Sequence, residues 1–420
     1  MAVPEQSISF EIHHRCQTTH ARVGRVVTPH GAFDTPAFMP VATKAAMKGL
    51  TPDQVRSTGS QIILNNAFHL MLRPGHDLVA RRGGSHWFMR WDGPILTDSG
   101  GYQAFSMSDI NQVTNEGVRF KSIVDGSTIL MSPEMSMEVQ NALGADIIMA
   151  FDDCPPAADP KGFNKSRVRL HGRAAPVTSP VSETAYRERL IEANERTIRW
   201  LERCIAAHAR PDRQALFGIV QGGTEDDLRQ QSVEQVCGLD LPGYAIGGVA
   251  VGEGADLIRA VVEYTAPRLP AGKPRYLMGV GYERDIVMAV RAGVDMFDCV
   301  LPTRNGRNAA AFTPHGRIHL RNARFVEDDQ VLDASCDCAT CRGGFTRAYL
   351  RHLFMAREML GPILVSLHNI RHFQRLMLDI RRVVRENDWH SLEQDWPVLL
   401  RADSGGSPAE KVSQEEGLQH

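Results

Sequence analysis

Eight short apolar runs punctuate the chain before residue 301: FMPVA (38–42), QIILN (61–65), ILTD (95–98), IIMAFD (147–152), LFGIVQ (216–221), YAIGG (244–248), YLMG (276–279) and MFDCV (296–300). Each has the length and composition of a strand buried on both faces in a parallel sheet. Between several of them lie amphipathic stretches with helical periodicity and charged outer faces, at 183–209, 225–236, 255–266 and 283–293. Strands alternating with helices imply a parallel sheet, and eight of them imply an α/β chain closed into a (β/α)8 TIM barrel. A doubly wound open sheet is the competing arrangement. No repeat of 20 to 50 residues recurs, which removes solenoids and propellers.

With 420 residues, 43% hydrophobic and 23% charged, the chain can bury one large core. A formal net charge of -2 leaves no global attraction for a polyanion, so a nucleic-acid partner must be held by a local basic patch. The opening MAVPEQSISFEIHHRC lacks the basic-then-apolar layout of a signal peptide, and no apolar run approaches the ~20 residues of a membrane span. A cytoplasmic location is the expectation. Two segments break the strand–helix rhythm. Residues 155–182, rich in Pro, Ser, Ala and basic side chains, read as a mobile loop inserted after the fourth strand. The polar stretch 402–420 has too few apolar residues to pack and reads as a disordered tail after a main body of 1–401.

The eight cysteines are scattered at first and then bunched as Cys336-x-Cys338-x2-Cys341, unlike a secreted disulfide framework. Three thiolates in six residues can face one cation, and structural zinc demands four tetrahedral ligands. His368 in LVSLHN can complete a Cys3His set, with His352 and His372 as rivals. Four protein ligands close the coordination sphere, so the expected ion is one structural Zn2+ in a C-terminal zinc-binding subdomain, about residues 315–390.

In a (β/α)8 barrel the working residues sit where strands end and loops begin. The ends here carry Asn65-Asn66, Asp98-Ser-Gly-Gly-Tyr102-Gln103, Asp152-Asp153-Cys154, Gln221-Gly-Gly, Gly247-Gly248, Gly279-Val-Gly281 and Asp298-Cys299. Any one reads as a turn; their recurrence at successive ends does not. Asp298 lies inside DMFDCVLPT, apolar enough to be buried, where a carboxylate is costly unless paired or chemically employed. Pairing with Arg304 or Arg307 is the structural alternative. Two carboxylates on one rim suit glycosyl transfer, one attacking the anomeric carbon and the other moving protons. No Walker motif occurs, and Gly279-Val-Gly281 lacks the context of a dinucleotide fingerprint.

With TDSGGYQ (97–103), AFDDCP (150–155), IVQGG (219–223), AIGGVAVGE (245–253), YLMGVG (276–281), DMFDCVLPTRNGRN (295–308) and the Cys/His set in this order, the chain resembles the tRNA-guanine transglycosylases, specifically the bacterial queuosine-pathway branch. Similarity runs from about residue 8 to about 400. The resemblance implies a zinc-bearing barrel, usually a homodimer, acting on the anticodon loop of the tRNAs for Asp, Asn, His and Tyr. Guanine at wobble position 34 is exchanged there for the deazaguanine preQ1. It further implies Asp298 as nucleophile and Asp98 as proton donor and acceptor. Tyr102 and Met278 would lie on the two faces of the base. Asp152, Gln221 and the Gly248 backbone would meet its edge, with Gly247 and Val249 alongside, and Cys154 and Val251 match bacterial members.

The arginines at 304, 307, 317, 321 and 324, with no acidic residue in 302–326, and those at 342, 347 and 351 are candidate phosphate contacts, Arg304 and Arg307 foremost. The 155–182 loop is longer than is usual in the family, and one extra residue separates Cys341 from His368. A catalytically silent partner subunit and an archaeal preQ0-inserting relative are rivals. Retention of both Asp98 and Asp298 argues against the first, and the short polar tail against the second.

Overall fold

The computed structural model describes residues 7–106, 111–155 and 183–401; the sequence readings at 156–182 and 402–420 lie outside the described residues. Three antiparallel strands come first, β1 (Ser9–Arg15), β2 (Arg22–Thr28) and β3 (Gly31–Thr35). All eight apolar runs then become barrel strands. They are β4 (Ala37–Ala42), β5 (Ile63–Asn65), β6 (Ile95–Thr97), β10 (Ile147–Met149), β11 (Ala215–Val220), β12 (Gly243–Ile246), β13 (Arg275–Leu277) and β14 (Met296–Cys299). Every neighbouring pair is parallel, and the ring closes where β14 meets β4, from Met296 opposite Ala37 to Cys299 opposite Pro40. β11 is buried at all six positions, as expected of a strand covered on both faces.

Two further antiparallel elements have no counterpart among the runs. One is a three-stranded sheet of β7 (Asn111–Val113), β8 (Val118–Lys121) and β9 (Thr128–Met131) between β6 and β10; the other is a short pair, β15 (Ala310–Ala311) and β16 (Ile318–His319), after β14.

Helices cover the outside, and local sequence explains their ends. The helix Pro133–Leu143 starts with Ser132 accepting from the Met135 N–H and Pro133 in the first turn, and stops at left-handed Gly144. The outer ring is completed by the helix Leu360–Glu386, long after β14. Its Gln374 amide donates to the Phe38 carbonyl at 3.0 Å and its Arg381 to that of Pro36 at 2.6 Å, fastening it over β4. Among the described residues no helix is long and apolar enough to cross a membrane.

The β1–β3 sheet closes the end of the barrel where strands begin. Val26 and Phe33 share one buried cluster with Met39, Leu64, Leu96, Phe217 and Met296 from the barrel interior. Buried ions reinforce this floor. Arg22 on β2 grips Asp295, just ahead of β14, through two bonds of 2.8 and 2.6 Å, and also donates to the Ala271 and Lys273 carbonyls. Asp146, just ahead of β10, faces His30 at 2.8 Å and His86 at 3.1 Å, whose rings stack with centroids 3.5 Å apart. With the floor sealed, the opposite rim is the open end.

Candidate active site and metal knot

Asp98 follows β6 directly and is fastened from the end of β5. Its Oδ1 accepts from the Ala67 N–H at 2.8 Å and its Oδ2 from the Asn66 side-chain amide at 2.5 Å. Asn66 also caps the helix Ala67–Leu72, so helix start and carboxyl are set by one residue. Burial pushes the Asp98 carboxyl up to about 7; the Ala67 hydrogen bond opposes this and the charge of Asp298 adds to it. Asp298 lies within β14. Its Oδ1 accepts from the Tyr276 hydroxyl at 2.6 Å and the Gly279 N–H at 2.8 Å, so its partners are these two rather than Arg304 or Arg307. Burial raises it as well, and those two donors counter the rise. The rim therefore holds one carboxylate steadied by two donors and one carboxyl poised near neutrality, the ordinary requirement for acid and base work at one site.

A buried polar cluster joins the ends of β10, β11 and β12. Gln221 donates to Asp152 Oδ2 at 2.5 Å, while its own Oε1, buried, has no partner among the described residues. Burial carries Asp152 up to about 7, with the charge of Asp153 contributing in the same direction. Asp153 is itself ion-paired to Arg189 at 2.6 Å and to Arg196. At Gly247 a Cβ would come within 2.7 Å of the Gln221 amide nitrogen, so only glycine lets the two loops approach this closely. Burial drives the Cys154 thiol up to about 12, which makes it a wall and not a nucleophile. Val249 is buried, Met278 is half-buried, and Tyr102, on the helix Gly101–Ser106, is 42% exposed with its hydroxyl raised to about 12 by burial and the nearby Cys154 and Glu253.

Three groups here escaped sequence reasoning, and a fourth, Asn66, was singled out only as part of a loaded strand end. Asn66 and Tyr276 hold the two aspartates. Glu253 accepts from the Ala250 and Val251 N–H groups at 2.6 and 2.9 Å. Arg229 is buried behind the glycines.

Arg304 and Arg307 sit on the helix Leu301–Arg307, and Lys44 and Lys48 from the β4 loop join them. Lys48 is pushed down by burial and by the charges of Arg307, Lys44 and Arg304. Cations gathered against their own repulsion mark a surface suited to an anion. Other candidate arginines are engaged elsewhere: Arg347 with Asp328 at 3.2 Å, and Arg351 with the Asn322 carbonyl at 3.2 Å.

The ligand atoms of Cys336, Cys338, Cys341 and His368 all lie within 4.8 Å of one another, and all four residues are buried. Cys338 caps the short helix Ala339–Arg342, while His368 arrives on Leu360–Glu386 with Nδ1 3.4 Å from the Cys341 sulfur and 3.6 Å from that of Cys338. Its Nε2 lies 2.7 Å from the Phe312 carbonyl, so that nitrogen carries the proton and Nδ1 presents its lone pair to the thiols. The rivals are excluded by position: His352 is exposed, and His372 bonds Glu283 at 2.7 Å. The donor set can hold a metal ion.

Fold and rim together define a (β/α)8 enzyme scaffold with paired rim carboxyls and a peripheral Cys3His knot. The queuine tRNA-ribosyltransferase family model matches residues 16–171 and 174–398, and the chain belongs to that family of pentosyltransferases. It is similar to the queuine tRNA-ribosyltransferase of Acetivibrio thermocellus, 49% identical over 381 residues covering 91% of this chain and 95% of that protein. The Symbiobacterium thermophilum enzyme is 47% identical over 414 residues, 96% and 97% of the two chains, and that of Cyanothece sp. 49% over 395 residues, 94% and 97%.

Proposed function

We propose that the chain exchanges guanine at wobble position 34 of the tRNAs for Asp, Asn, His and Tyr for preQ1, by double displacement. The observation that carries this is the unequal environment of the two rim aspartates. Both donors to Asp298 engage Oδ1, so Oδ2 is the oxygen that attacks ribose C1′. The C1′–N9 bond breaks as the Oδ2–C1′ bond forms, and the departing guanine accepts a proton as negative charge develops on it. Asp98, near neutrality, donates and later accepts: it removes the N9 proton of preQ1 as that nitrogen attacks C1′ and releases Asp298. Two inversions at C1′ retain the configuration.

The base would enter between Tyr102 and Met278, with Asp152, the unpartnered Gln221 oxygen and the Gly248 N–H along its edge and Gly247, Val249 and Cys154 as walls. A stacked anticodon base hides that edge, so the nucleotide must be extruded, and stacking on Tyr102 partly offsets the unstacking. Arg304 and Arg307, with Lys44 and Lys48, would hold the flanking phosphates.

Cys336, Cys338, Cys341 and His368 fit one structural Zn2+, which would organise a subdomain of about residues 315–390 on the buried cluster running from Ala309 to Val365. Four protein donors would leave no open position for substrate, so the ion would contribute to folding. Exposed Tyr349, Met355 and Met359, at 41%, 55% and 80%, support association as a homodimer. A cytoplasmic place of work fits these substrates.

Incubation with unmodified tRNA and preQ1, followed by digestion and mass spectrometry, should find the new base at position 34 only. An unchanged nucleotide there would remove the catalytic reading. Metal analysis of the same preparation should give about one zinc per chain, as a four-ligand site requires.

A further inference from the structure

Arg229 lies in the first turns of the helix Asp226–Cys237 and is 0% exposed, a setting in which a guanidinium normally faces a carboxylate. Here it faces four main-chain carbonyls. Nε donates to Gly223 at 2.8 Å, Nη1 to Gly247 at 2.7 Å and Val220 at 3.2 Å, and Nη2 to Gly248 at 3.2 Å. One of these carbonyls, that of Val220, ends β11, one belongs to the loop after it, which carries Gln221, and two belong to the loop after β12. One planar fork thus ties together the adjacent strand ends that form the polar cluster.

A trans peptide points its C=O and N–H in opposite directions. With the Gly247 carbonyl drawn back to Arg229, the Gly248 N–H must face the other way, toward Cys154 on the rim side. The Gly248 carbonyl is drawn back likewise, so the following N–H, that of Val249, is turned outward too. Gly248 holds φ +65°, and a Cβ there would collide with the Gln221 side chain and approach Arg229 Nη2 to 3.1 Å. Neither loop can drift while the guanidinium is in place.

We propose that Arg229 is a positioning residue for base selection: it fixes the Gly247–Gly248 peptide so that main-chain N–H groups meet a carbonyl oxygen on the incoming purine. It touches neither base nor ribose. The proposal rests on the base-exchange reading above and names what enforces its specificity. Lysine cannot substitute, since three donors radiating from one nitrogen cannot span four carbonyls on two loops.

The test compares guanine with 2-aminopurine, which lacks the carbonyl oxygen, as competitors of base exchange. The wild-type chain should prefer guanine by about 10- to 100-fold, and Arg229→Lys should shrink that preference about tenfold, the worth of one well-aligned hydrogen bond. Guanine 34 of the tRNA presents the same carbonyl oxygen, so the KM for tRNA should rise alongside, and the ratio between the two competitors is the readout that a merely structural role would not move. Equal weakening of both competitors with the ratio intact would reduce Arg229 to a structural role and overturn the proposal. Arg229→Ala with added methylguanidinium gives a second reading: recovered discrimination supports it, whereas recovered thermal stability alone overturns it. If the wild-type chain exchanges no base at all, the functional reading has failed and not this assignment.

Discussion

At the floor of the barrel Asp295 is 0% exposed against Arg22, and Asp146 accepts from His30 and His86; at the rim Asp98 and Asp152 are nearly as buried but held by neutral donors, Asn66, Ala67 and Gln221. The same residue type is driven in opposite directions. Hydrogen bonds from the two histidines and the Ile95 N–H, acting against burial, hold Asp146 well below the usual carboxylate range, while burial lifts Asp98 and Asp152 to about 7. Charge is neutralised where the barrel must stay shut and left uncompensated where a proton must move.

The largest effect should separate the two ends by kind. Asp298→Ala should lower base exchange by at least ~10³-fold and abolish any covalent RNA adduct on denaturing gels, with little change in melting temperature. An adduct that persists would assign attack to another residue. Asp295→Ala should do the converse. Stranding Arg22 costs about 3–5 kcal/mol of stability in urea titrations, with exchange per folded molecule largely intact.

Next in size is the response to pH. Between about pH 4 and 7 the folded chain keeps protons on Asp98 and Asp152 that the unfolded chain, with the usual value near 3.8, has released. Their contribution to stability therefore falls as pH rises through that window, and Asp98→Asn should flatten the decline. Asp146 has the opposite sign: its stabilisation is present above 3.8 and is lost as pH falls toward its depressed folded value. His30, raised by Asp146, stabilises below 6.5 and stops doing so as pH climbs through its raised value. Unfolding of Asp98→Asn at about pH 4.5 and 7.5, and of Asp146→Asn at about pH 3 and 5, checks the pair of signs; identical pH profiles would erase the contrast between the ends.

The smallest effect concerns cations. Replacing Arg304 and Arg307 with Ala should weaken tRNA binding and reduce the slope of log affinity against log salt by ~2, while conversion of bound tRNA stays near normal. An unchanged slope would leave the rim patch without an RNA role.

The barrel was legible because strands buried on both faces are written as unbroken apolar runs, and a run such as LFGIVQ admits few other readings. The floor sheet was not. SFEIHHR alternates half-buried and exposed positions, and nothing in its polarity announces that it seals a barrel. The two carboxylates stood out by sitting in apolar runs, but their holders looked ordinary. Tyr276 reads as a core aromatic, and Arg229, within EDDLRQQSVEQV, as one more solvated helix residue. Lys44 and Lys48 are about 260 residues from Arg304, so only closure of β14 onto β4 brings them together. The fourth member of the Cys/His cluster turned on its place along the helix. His368 and His372 are one turn apart on the same helix, and only the first reaches the thiols.

The late arrival of the helix Leu360–Glu386, about 40 Å long at 1.5 Å per residue, bears on how the chain is made. β4, the first barrel strand to leave the ribosome, must wait for β14 as its lateral partner and then for this helix to cover it. Until β14 has been synthesised β4 exposes an open hydrogen-bonding edge, and until this helix has it exposes an apolar face, so nascent barrels depend on shielding by chaperones or on the speed of elongation.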